Sequence, residues 1–200
     1  MKTKTSEITK LNSSRKLLMA AQTGNLTMAK VALEKGADVN YIQIHDQTPL
    51  MFAASKGHLG ITRLLLRNGA KVNVRDEEGF TPLMFSAMGS SAAITKLLLE
   101  KGAEKDARDN RGFTPLMHAF IAAKLHSAIA LIEAGADINL INVEGKRAEN
   151  YAVSPRFITA LLRPRDPSQE QRQKMALVRS GAIEEILDEL ERDKKDNRKG

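Results

Sequence analysis

Apolar positions along this chain fall at helical spacing in short blocks, with polar residues between them. Ile61, Leu64, Leu65 and Leu66 share one broad side of a helix over Leu59 to Arg67. Ile94, Leu97, Leu98 and Leu99 repeat that pattern 33 residues later. A shorter block precedes each: Leu50, Ala53 and Ala54, then Leu83, Ser86 and Ala87. Small residues in these first helices let neighbouring helices approach closely. Thr-Pro opens each short helix, because the hydroxyl caps the first turn and Pro at the first helical position lacks an N–H that would go unpaired anyway. Gly57, in Lys56-Gly57-His58, supplies the positive φ that turns the chain into the second helix. The predicted unit is helix, turn, helix, extended finger.

Two sets of markers hold one register. Thr48-Pro49-Leu50-Met51, Thr81-Pro82-Leu83-Met84 and Thr114-Pro115-Leu116-Met117 recur every 33 residues. Lys35-Gly36-Ala37, Asn68-Gly69-Ala70, Lys101-Gly102-Ala103 and Ala134-Gly135-Ala136 do the same. A single hairpin cannot dry its own apolar side, so such units must stack, and the array gains stability from unit-to-unit interfaces.

The Thr-Pro-Leu, Ala-Ala, Gly-His-Leu and Leu-Leu-Leu…Gly-Ala-Asp-Val-Asn elements resemble the ankyrin repeat. The match is strong over 44–140, lacks the Thr-Pro start over 15–43 and is weak over 142–162. The resemblance implies an all-α solenoid of about five L-shaped units (15–43, 44–76, 77–109, 110–141, 142–162) with short extended fingers. It also implies a curved stack that recognises protein partners along its concave side. The chain departs from the pattern in several places. Met51, Met84 and Met117 stand where the family has His. Glu104-Lys105-Asp106 replaces Asp-Val-Asn, and Ser90 and Ala123 stand where Gly57 would recur. In the last unit Gly145-Lys146-Arg147-Ala148-Glu149 replaces Thr-Pro, which reads as a terminal cap.

Arg163-Pro164-Arg165-Asp166-Pro167 interrupts any helix and ends the stack. Beyond it, 169–179 and 180–195 read as two helices, the second with Ile183, Ile186, Leu187 and Leu190 on one side. Residues 163–200 are expected to form a helical cap over the exposed end of the repeat core. The alternative is a docking helix for a partner or a second copy.

Composition narrows the function. Aromatic residues are 4% of the chain, Trp and Cys are absent, and the net charge is +7. Without Cys there is no disulfide, thiolate metal site or cysteine nucleophile. Residues 1–16 hold five basic and one acidic residue, so the excess charge gathers in a short arm, 1–14, rather than in a stripe along the body. Nucleic-acid or membrane-surface binding through Lys2, Lys4, Lys10, Arg15 and Lys16 is therefore a minor alternative. The four histidines, His45, His58, His118 and His126, do not fall at metal-ligand spacing, and adjacent acids such as Glu77-Glu78 point apart and cannot work as a catalytic pair. No enzyme, cofactor or metal site is expected. With no apolar run long enough for a signal or a span, a soluble, cytoplasmic monomer is expected.

Finger tips and the outer side of each first helix are not needed for stacking, so their residues are free to contact a partner. The candidates are Tyr41, Ile44, His45 and Gln47; Lys56; Glu77, Glu78 and Phe80; Met88; Asn110, Arg111 and Phe113; and Ile121. Phe80 and Phe113, one unit apart, are expected either to stand exposed as interface anchors or to fold down over their own Thr-Pro turns. The function expected is that of a non-enzymatic adaptor or inhibitor. A regulator that blocks an enzyme's active site is a second form of the same binding.

Overall fold

The computed structural model describes residues 2–152, which form eight α-helices and no β-strand among them. Four hairpins follow one another: α1 (Lys2–Thr23) with α2 (Leu26–Glu34), α3 (Pro49–Lys56) with α4 (Leu59–Arg67), α5 (Pro82–Met88) with α6 (Ala92–Glu100), and α7 (Pro115–Ile121) with α8 (Leu125–Glu133). Single 3-10 turns lie at Ile44–Asp46 and Ala148–Tyr151, the latter opening a fifth unit. First helices pack in one row, α1 on α3, α3 on α5, α5 on α7 and α7 on the Ala148–Tyr151 turn. The second helices α2, α4, α6 and α8 make the other row. This is an all-α repeat solenoid in two layers.

The core runs through it at the period of the sequence. Leu17, Leu50, Leu83 and Leu116 occupy one column and Leu65, Leu98 and Leu131 another, all fully buried. Each such Leu contributes roughly 2 kcal/mol through burial. A second, polar thread crosses the middle of the array. Ser86 Oγ donates to the Leu83 carbonyl at 2.8 Å, and the Ser86, Thr95 and Ser127 hydroxyls pair in series at 3.1 and 3.3 Å. These buried groups therefore find partners without water.

Local chemistry starts and ends the helices as the sequence suggests. Thr48, Thr81 and Thr114 accept the N–H of Met51, Met84 and Met117 at 3.3–3.4 Å. The first two Met residues answer with sulfur: Met51 Sδ and Met84 Sδ accept the N–H of Thr48 and Thr81 at 3.4 and 3.5 Å. A thioether thus takes the place of the family's His in closing the cap. Gly57 holds φ +80°, and at the equivalent position Ala123 is forced to φ +53°, a region unfavourable for a side chain. The turn at Gly89-Ser90 has another form, with Gly89 extended. A Cβ on Gly89 would lie 2.8 Å from the Ala54 carbonyl oxygen, so only glycine fits between α3 and α5 there.

The residues expected as an N-terminal arm, 1–14, overlap α1 (Lys2–Thr23). Residues from Lys2 onward are the opening turns of α1, and Ser13 and Ser14 are buried in it. No Thr-Pro stands in the first unit to start its helix afresh, so the helix runs back toward the chain start. Ser14 Oγ donates to the Lys10 carbonyl and accepts the Asp38 N–H at 2.8 Å, fixing the end of the first hairpin to α1. The end of the fifth unit (153–162) and the cap expected over 163–200 lie outside the described residues.

Candidate functional site

The second, third and fourth fingers are tight loops, each built by one side chain. Asp76 Oδ1 accepts the N–H of Glu78 and Phe80 at 3.1 and 2.8 Å, Asp109 Oδ1 those of Arg111 and Phe113 at 2.9 Å each, and Asn142 Oδ1 those of Glu144 and Lys146 at 3.0 Å each. Gly79, Gly112 and Gly145, three residues further on, take positive φ to close the loop. Fingers then join to fingers. The N–H of Glu77, Asn110 and Val143 donates to the carbonyl of His45, Glu78 and Arg111 in the preceding unit, at 3.3, 3.0 and 3.1 Å. Arg75 and Arg108 add side-chain bonds, each reaching the carbonyl of the residue one period on, Arg108 and Ile141.

The hairpin ends are clamped in the same way. Asn40 accepts the Lys71 N–H at 2.8 Å and donates to the Gly69 carbonyl at 3.3 Å, and Asn73 does the same with Glu104 and Gly102 at 3.0 and 3.1 Å. Asp106, where the repeat pattern breaks, keeps only the accepting half, from Asp137 N–H at 2.8 Å. A carboxylate has no proton to offer the Gly135 carbonyl.

On this scaffold the candidate side chains divide. His45, Glu77, Glu78, Asn110 and Arg111 are exposed on the finger tips, and Gln47 and Tyr41 are half-buried beside them. His45 Nδ1 lies 2.8 Å from Glu77 Oε2 across two fingers. Arg111 reaches Glu144 at 3.7 Å, and Glu144 also meets Lys146 at 3.0 Å. The Lys146 ammonium holds the Glu144 carboxyl below the usual range, and Glu144 in turn raises Lys146. The backbone of Ile44 lies in the first finger's 3-10 turn. Lys56, Met88 and Ile121 end α3, α5 and α7, the first and last exposed and Met88 half-buried. They stand about 10 Å along the helix axis from the fingers that lead into those helices, so the candidates form two tiers rather than one cluster.

For Phe113 the inward alternative holds, which corrects its place among the exposed partner-contact candidates. Only 3% of it is accessible, because it packs between His118 (5.5 Å) and Tyr151 (5.3 Å), with the Arg111 guanidinium 4.8 Å over its ring. Phe80 is half-buried, 5.5 Å from Phe85 and 4.7 Å from His118. Together Phe85, Phe80, His118, Phe113 and Tyr151 form a continuous file of rings beneath the fingers. His118 Nε2 lies 2.9 Å from Asp109 Oδ2, and both side chains are buried. Burial pushes the His118 imidazole below its ordinary value of 6.5, against the opposing pull of Asp109, so the neutral ring keeps its proton on Nε2 for that bond. This file was missed in the sequence, although Phe52, Phe85, His118 and Tyr151 recur every 33 residues.

The other histidines stand apart. His58 packs on Gly24, where any side chain would collide with its ring, and His45 and His126 are exposed. Among the described residues no group of three or more potential ligands is placed to hold a metal, and no helix is long and apolar enough to cross a membrane.

A family profile described as ankyrin repeats in three copies matches residues 5–76 and 68–142. The chain belongs to the ankyrin-repeat family. Ankyrin repeats generally mediate protein–protein interaction and are typically non-enzymatic. No curated protein matches the chain.

Proposed function

We propose that this ankyrin-repeat protein is a non-enzymatic adaptor or inhibitor that binds a partner protein along the finger rim and the adjoining ends of the first helices. The observation that carries this reading is the finger-to-finger ladder. It bonds the rim's backbone from finger to finger, with Asn110 Nδ2 adding a bond to the Glu77 carbonyl, and leaves His45, Glu78 and Arg111 exposed on fixed loops. A rigid scaffold with spare side chains binds without first having to order itself, which favours affinity. Alternating acid and base along the rim would set association rate and selectivity more than raw strength. Ile121, 46% exposed, and Val143, 72% exposed, supply apolar contact beside those charges.

A photo-crosslinking residue placed at Glu78 or Arg111 in cells tests this. It should yield a discrete protein adduct that a matched residue at Lys96, on α6 away from the fingers, does not. The double charge reversal Glu78→Arg/Arg111→Glu should reduce that adduct several-fold when the crosslinker is moved to Asn110. Equal adducts from Lys96 and the rim would overturn the assignment.

A further inference from the structure

The first hairpin leaves its outward side unfinished. Among the large apolar residues exposed in the structure are Ile8, Leu11 and Met19 on α1 and Val31 on α2, all in this first hairpin, and Val31 lines the hollow between its helices. Between the two helices lies a hollow of about 370 Å³ lined by the apolar Met28, Val31 and Ala32, by Lys16 and Lys35, and by Ser13, Asn25 and Thr27. Neither lysine has a carboxylate within ion-pair distance among the described residues. A terminal repeat with an apolar outer side needs a cover, since capping units of solenoids are polar outside.

The chain carries a segment of complementary chemistry. Ile183, Ile186, Leu187 and Leu190 fall at i, i+3, i+4 and i+7, one side of a helix. Over 183–191 the remaining five residues, Glu184, Glu185, Asp188, Glu189 and Glu191, are all acidic, with no base. Residues 1–16, by contrast, hold five bases to one acid. Reach is not a barrier. From α1 to the Ala148–Tyr151 turn there are four helix-packing steps of about 10 Å each. The thirty residues 153–182 can extend to about 100 Å.

We propose that the acidic amphipathic segment 183–191 docks, within the same chain, on the α1–α2 hollow. Its apolar side lies on Met28, Val31 and Ala32 and its acids face Lys16 and Lys35. This surface is separate from the finger rim, so it stands or falls independently of the proposed function.

The absence of cysteine makes the test direct. In the full-length protein, Val31→Cys with Leu187→Cys should be joined within one chain by a short bis-maleimide at least about tenfold faster than the control pair Ile141→Cys with Leu187→Cys. Ile141 is also exposed, 48%, and lies nearer to the root of the tail. Adding Lys16→Glu and Lys35→Glu should slow the Val31–Leu187 reaction several-fold, with the helical circular dichroism signal unchanged. A rate no greater than the control would overturn the proposal. So would products linked mainly between chains, which would put a second copy in the hollow, or a rate indifferent to the lysine reversals.

Discussion

The first finger and the third differ in two residues that matter. In the third, Asp109 gathers two backbone N–H groups and the His118 ring, and Gly112 turns the loop at φ +75°. In the first, Gln43 occupies the Asp109 position, and among the described residues its side chain accepts no loop N–H. Asp46 stands where Gly112 would be. His45 and Asp46 are consequently driven to φ +60° and +55°, and the rung that ties this finger to the next is the longest of the three, 3.3 Å. A finger is therefore specified by one short polar side chain and one glycine, and the repeat tolerates a copy lacking both only by holding strained backbone.

The largest break in this contrast comes from Asp109→Ala. It strands the buried Phe113 N–H, the part-buried Arg111 N–H and the His118 Nε2–H, and should cost about 2–4 kcal/mol in urea unfolding. The opposite change, Gln43→Asp with Asp46→Gly, should build a third-type finger in the first unit and raise stability by about 1–2 kcal/mol. If the urea midpoint did not rise, strain at His45 and Asp46 would not be the cost identified here. Smaller again is Ala123→Gly, which relieves φ +53° and should gain about 0.5–1 kcal/mol. The matched Gly57→Ala should lose at least as much, since its Cβ would also meet Ser90 Oγ at 2.5 Å.

The last effect vanishes at neutral pH. Because the native His118 value is depressed below 6.5, neither state holds the extra proton above that pH. As pH falls past 6.5 the unfolded chain takes it up first, so stability declines until the native value is reached. Unfolding curves at pH 7.5 and 5.5 should show this loss, and His118→Gln should flatten the part of it that belongs to this ring. A His118 proton resonance titrating above 6.5 would contradict it.

Much of this was legible in the sequence, and for identifiable reasons. Thr-Pro and Gly act through backbone geometry within a few residues, so the starts of α3, α5 and α7 and the turn at Gly57 could be placed directly. The 33-residue step then carried Leu50 to Leu83 and Leu116. What escaped depended on contact between units. Phe113 could be read as outward or inward until its neighbours were known, and those neighbours, His118 and Tyr151, lie on the next elements. His118 taken singly looks like a possible ligand, whereas its 33-residue column, Phe52, Phe85 and Tyr151, places it among rings. The continuity of α1 is harder to read, because the polar and charged residues over 1–14 carry no apolar periodicity, and only the absence of a Thr-Pro or Gly there marks the helix as uninterrupted.

The bonds from Glu77, Asn110 and Val143 to the finger before each of them lie one after another along the array. Pulled from its two extremities, the protein would load them like links in series, and the softest link sets the force at which extension begins. That link is the first, so stretching should start beside His45 and leave the later coils of the spring wound.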